Sequence, residues 1–190
     1  FMRHVRYRLS SRIGTMSGVS GLSRGFDLYV DDVDFAGFDR SVPLAIDWLR
    51  EKRQEPFFLF LQGYTTHGQA IPPPGGYQRV FAGDYQGPLT GSPEEFKRLR
   101  EESLKRRYNL DGPAPKDLGL SPADQAFYLD LYDEKIQLAD KAIGRFLSAL
   151  EDAGLSRRTI IVLFAGHGDE YFEHGFIDHG TNLYEEVIDV

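Results

Sequence analysis

Cysteine is missing from this chain of 190 residues, so it contains no disulfide and no thiolate metal site, and either a reducing or an oxidising compartment suits it. Localisation therefore stays open, with periplasm, secretion and cytoplasm all compatible. Long apolar runs are also missing: none approaches the roughly 20 residues that span a bilayer, and the opening FMRHVRYRLSSR has no signal-peptide core. Positive charge is in short supply, with 22 Lys and Arg against 29 Asp and Glu and a formal net charge of -7. A broad nucleic-acid or anionic-membrane surface does not fit that balance, and any anionic ligand needs local positive charge instead. What is present, 41% hydrophobic and 13% aromatic residues, suffices for one α/β core of ordinary size.

The chemistry-bearing residues concentrate near the end. Ile160 to Phe164 is a short apolar, β-branched run that reads as a buried strand, and it stops at Ala165-Gly166-His167-Gly168. Two glycines around one histidine let the backbone turn and hold the imidazole at the strand's carboxyl end, where open α/β sheets carry their ligand crevices. Asp169, Glu170, Glu173, His174, Asp178 and His179 follow within twelve residues, a density that points to a metal or anion site. A second apolar run, Pro56 to Leu61, reads as a parallel strand buried on both faces, and His67 lies just past its end. A histidine there can donate to a tetrahedral oxyanion or act as a general acid, since its reference pKa near 6.5 leaves both protonation states accessible.

Between these runs the local signals are strong. Ser41 to Arg53 reads as a helix with Pro43 near its first turn. Ser92-Pro93-Glu94-Glu95 starts a helix that runs to Arg107 within an otherwise loop-rich insertion at about 70–120. Ser121-Pro122-Ala123-Asp124 starts a long one whose stripe (Phe127, Leu131, Tyr132, Ile136, Ala139, Ile143, Phe146, Leu147, Leu150) ends at a Gly154 cap. Asp133, Glu134 and Asp140 are expected on its solvated face, and Asp31 and Asp32 in a turn. Residues 1–24 read as solvated loop or edge strand. The last helix and its two flanking runs predict a right-handed βαβ crossover.

Four segments in order resemble the sulfatase family of alkaline-phosphatase-like hydrolases: R-G-F-D-L-Y at Arg24–Tyr29, the strand leading to His67, Y-D-E-K-I-Q-L-A-D at Tyr132–Asp140, and A-G-H-G-D-E followed by H-G-T-N-L-Y-E-E at His179–Glu186. The resemblance implies an α/β fold with a mostly parallel sheet flanked by helices, incomplete here, over one partial catalytic domain at 1–190. It implies a sulfuric ester hydrolase in which His67 is catalytic and touches substrate, His179 binds the ester anion, and His167 binds a divalent metal, expected to be calcium. The family's metal-binding aspartate before the histidine is Gly166 here, and Asp169 is the candidate replacement. The formylglycine precursor motif C/S-x-P-S-R does not occur in the 190 residues, nor do the family's paired N-terminal aspartates. These residues therefore read as an internal piece of a larger hydrolase, inert by itself. The expected partner is a sulfated small molecule or glycan. The alternatives are a degenerate homologue that binds anionic glycans or a protein without turnover, and a phosphodiesterase, phosphonate hydrolase or phosphoethanolamine transferase of the same superfamily. Tyr64, Tyr77, Arg79 and Tyr85 are expected either to touch a sugar or aryl group or to pack within the insertion.

Overall fold

A computed structural model describes the backbone of residues 6–9, 23–30, 37–52, 56–67, 79–110, 112–113 and 117–190. Asp31, Asp32 and Tyr77 lie outside the described residues. The chain divides into two compact units, one of Phe1–His67 with Ile136–Ile161 and one of Gly68–Lys135 with Val162–Val190.

In the first unit, strands β1 (Arg6–Leu9), β2 (Leu28–Val30) and β3 (Phe58–Leu61) form a parallel sheet in the order β2-β1-β3. Tyr7 sits opposite both Leu28 and Leu59, which makes the N-terminal segment the central strand rather than the loop or edge expected from its charge. Helix α1 (Phe38–Lys52) begins three residues before the expected Ser41, placing Pro43 in its second turn. Gly37 accepts from the amides of Arg40 and Ser41, and the Phe38 amide donates to Thr65 Oγ1 at 2.8 Å, which ties the helix start to the segment after β3. Val42, Ala45, Trp48 and Leu49 form its buried stripe. Trp48 and Leu49 pack with Leu150 and Leu155, and Trp48 meets Phe57 edge-on at 5.5 Å. Deleting Leu49 or Leu150 from such a cluster costs about 2–5 kcal/mol. Strand β3 is not buried on both faces as expected: Phe58 is 53% exposed.

The second unit is built on helices α2 (Pro93–Tyr108) and the first part of α3 (Pro122–Asp152). Ser92 caps α2 by accepting from the Glu95 amide at 3.1 Å, while Glu95 turns back to take the Thr90 and Gly91 amides. Ser121 and Asp124 cap α3 reciprocally, amide to side chain at 3.2 Å in both directions. The other ends are equally local: Asn109 adopts a left-handed φ of 52° after α2, and Gly154 one of 71° after α3. Phe96, Leu118, Phe127, Tyr128, Tyr171 and Ile177 form the core, with Tyr85 stacked on Phe127 at 4.0 Å.

Three expectations about α3 and the run after it are corrected. Glu134 is only 2% exposed, not on a solvated face: one carboxylate oxygen accepts from the amides of Val80, Phe81 and Ala82 at 2.5, 2.7 and 3.3 Å. Three converging backbone donors stabilise a buried anion that would otherwise be costly. Asp133 and Asp140 are exposed as expected, whereas Ile136 and Leu147, assigned to the apolar stripe, are 44% and 40% exposed. Ile160 to Phe164 belongs to no strand and is exposed throughout, from 54% at Ile161 to 93% at Ile160. The expected crossover thus has no closing strand among the described residues.

Candidate active site

The loop after that run folds as a small hairpin. Gly168 has a specific reason to be glycine: a Cβ there would stand 2.1 Å from the Glu186 carbonyl, and its amide donates to the Val187 carbonyl at 2.8 Å. This docks the A-G-H-G turn on helix α4 (Glu185–Ile188). Strands β4 (Glu170–Tyr171) and β5 (Ile177–Asp178) pair antiparallel, Glu170 opposite Asp178, with Phe172, Gly175 and Asp178 all at positive φ.

The hairpin brings two of the expected site residues side by side. The rings of His167 and His179 are 4.0 Å apart. His167 is exposed, and its Nδ1 lies 2.9 Å from the Gly168 carbonyl, which can only accept; Nδ1 therefore carries the proton and Nε2 is the basic nitrogen. His179 Nδ1 is 2.5 Å from Asp169 Oδ1 and 3.3 Å from Asp178 Oδ1. The hydrogen bond to Asp169 holds the His179 imidazolium to higher pH than usual; burial opposes this, and the charges of Asp169 and Asp178 reinforce it. The Asp169 contact therefore favours the protonated form of His179.

His67 belongs to the first unit. It is half-buried in the turn after β3, its amide donates to the Tyr64 carbonyl at 3.1 Å, and its ring lies 4.8 Å from that of Tyr64. Arg79 donates to the Thr90 carbonyl and lies over Phe127, and Tyr85 donates to Asp124, so both pack against the start of α3. His174, the third histidine of the segment, stacks on Tyr184 at 3.7 Å and faces Glu186 at 3.1 Å.

Several neighbours carry no signal that hydrophobic periodicity would find. Arg100 and Arg107 of α2 form ion pairs with Asp178 and Glu170 of the hairpin. Lys135 is 6% exposed, and burial lowers its pKa to about 8 while Asp169 acts in the opposite sense. Each of these pairs joins residues at least 34 positions apart, which sequence spacing does not reveal.

The family model for sulfatases matches residues 23–190. This chain belongs to the sulfatase family. An arylsulfatase of Clostridium perfringens (strain 13 / Type A) is 28% identical over 137 residues, covering 72% of this chain and 27% of the relative. The chain thus spans well under two thirds of the length of that relative. No solved structure matches it.

Sulfatases generally use a divalent metal, and the donor set can be tested against one. Asp169, Asp178 and His179 offer ligand atoms that all lie within 4.8 Å of one another, and His167 adjoins them. Calcium takes six to eight oxygen ligands. Two carboxylates supply at most four, and three of those oxygens already face His179 or Arg100. At Gly166 an added Cβ would meet nothing within 4 Å, so the place of the family's aspartate is open space. With His179 protonated, the nitrogen of His167 and the carboxylate oxygens of Asp169 and Asp178 remain, a set that fits a divalent ion of mixed nitrogen and oxygen preference better than calcium.

Proposed function

We propose that this sulfatase chain serves the hydrolysis of sulfate esters of small molecules or glycans, with His179 as the contact for the anionic oxygens. The observation that carries the reading is the hydrogen bond from His179 to Asp169, which favours a cationic imidazole next to His167 in a chain with net negative charge. His179 donates an N–H to a sulfuryl oxygen, and its charge offsets the negative charge that the ester brings. His67 is assigned the proton on the leaving-group oxygen; its place directly after β3 and its position in the family pattern support this role. His167 and, in place of the absent residue at Gly166, Asp169 are assigned to a divalent cation that accepts both nitrogen and oxygen ligands. When bound, such an ion polarises an ester oxygen as a Lewis acid. If Asp169→Ala left the metal affinity of the full chain unchanged, that substitute role would be wrong.

A second reading has one observation in its favour. Without a carboxylate at Gly166 the charge that offsets cation desolvation falls, which suits a homologue that binds sulfated glycans without turning them over. Phosphate diesters share the tetrahedral anion geometry and form the third case. Assaying the full-length protein with an aryl sulfate and an aryl phosphate diester, with and without added metal, separates the three. Metal-dependent turnover of the sulfate ester supports the proposal; turnover of only the phosphate diester, or of neither, rejects it.

A further inference from the structure

One face of α2 grips the hairpin that carries His179. Arg100, Ser103 and Arg107 recur at intervals of three and four residues and so lie along one stripe. Arg100 pairs with Asp178, and Arg107 pairs with Glu170 while its guanidinium covers the Phe176 ring at 4.4 Å. Ser103, between them, exchanges hydrogen bonds with the backbone of Ile177 at 3.3 and 3.4 Å. Glu170 also accepts from Asn182 at 2.6 Å, which ties the segment after His179 to the same anchor.

Asp178 is the hinge of this arrangement. Its φ of 84° is a conformation that glycine adopts freely and aspartate does not. Its side chain is 5% exposed, with one oxygen on Arg100 and the other facing His179 Nδ1 at 3.3 Å. A residue held in that conformation directly before a functional histidine implies that its carboxylate serves a purpose glycine could not.

We propose that Arg100 and Asp178 are positioning residues for His179, so that the insertion helix α2 sets the angle at which this imidazole meets the ester anion. The inference rests on the anion-binding role assigned to His179 above. Asp169 supplies the short hydrogen bond, while the ion pair fixes the backbone and the second oxygen that together orient the ring. Through this contact a helix of the insertion acts on the reaction without touching substrate.

The test uses the full chain with Asp178→Gly, Asp178→Asn, Arg100→Leu and Arg100→Lys. Asp178→Gly keeps the backbone conformation at ease and removes only the carboxylate; Asp178→Asn covers the case in which the glycine variant fails to fold. Two readouts are taken: the imidazole nitrogen and carbon shifts of His179, and kcat and KM for an aryl sulfate together with the Kd for inorganic sulfate. In Asp178→Gly and Arg100→Leu the His179 signals move, KM and the sulfate Kd rise about tenfold, and kcat falls by a similar factor, the scale typical of lost outer partners. Arg100→Lys restores most of both. Unchanged His179 signals in the folded variants would overturn the proposal whatever the activity. If the unsubstituted chain turned over no sulfate ester, the functional reading would fail, and the His179 signals would still decide the positioning role.

Discussion

Replacing Lys135 by methionine tests how the buried charges of the second unit are balanced. Lys135 is 6% exposed, and burial lowers its pKa from 10.5 to about 8 against the pull of Asp169. At ~1.4 kcal/mol per pH unit that fall is worth about 3 kcal/mol against the charged form in the folded state. Below pH 8 the folded chain carries this cost in full. Between pH 8 and 10.5 the unfolded chain holds the proton that the folded chain has released, so stability rises with pH, by up to ~1.4 kcal/mol per unit. Methionine keeps most of the length and removes the charge, so Lys135→Met should be more stable by about 2–3 kcal/mol at pH 7, less what Asp169 loses in attraction. Urea denaturation of both proteins at half-unit steps from pH 7 to 9.5 reads the difference. The buried tyrosines Tyr128, Tyr132 and Tyr171 do not confuse the folded-state signal, since burial raises all three. A variant less stable at pH 7, or one that keeps the unsubstituted chain's rise between pH 8 and 9.5, would refute the reasoning.

Two further substitutions probe buried contacts. Glu134→Ala removes the shared acceptor of three amides, of which the Ala82 bond is buried and the Val80 and Phe81 bonds are part-buried. It should lower stability by about 1–3 kcal/mol in urea titration, and a loss below a few tenths would show that the carboxylate is not needed there. Gly168→Ala places a methyl against the Glu186 carbonyl, so the hairpin or α4 must shift. A loss of about 1–3 kcal/mol with faster amide exchange at Gly168 is expected; unchanged exchange would contradict the close approach.

How much of this was legible in the sequence follows from where the information lies. The caps at Ser92, Ser121 and Gly154 act within four residues of themselves, so α2 and both ends of α3 could be read directly. The family resemblance was equally readable from R-G-F-D-L-Y and the H-G-T-N-L-Y-E-E end, and the match over residues 23–190 agrees with it. Strands fared less well, since a strand exists by pairing with a partner that its own residues do not specify. Charged Arg6–Leu9 became the central strand, while apolar Ile160–Phe164 found no partner among the described residues. Glu134 misled for a similar reason: on a helix wheel it borders solvent, and only the fold brings amides from 52 to 54 positions away to bury it. Of the expected site residues, His167 and His179 are brought together with the nearby Asp169 and Asp178, but the arginine that holds Asp178 comes from α2, far away in the sequence.

The central claim is that His179 is the cationic contact for the ester anion. Its most direct measurement is the Kd for inorganic sulfate by calorimetry on the full chain and its His179→Ala and His179→Lys variants. Alanine should weaken sulfate binding by at least tenfold, and lysine, which keeps a positive charge and N–H donors, should retain it. Equal affinity in the alanine variant would contradict the account.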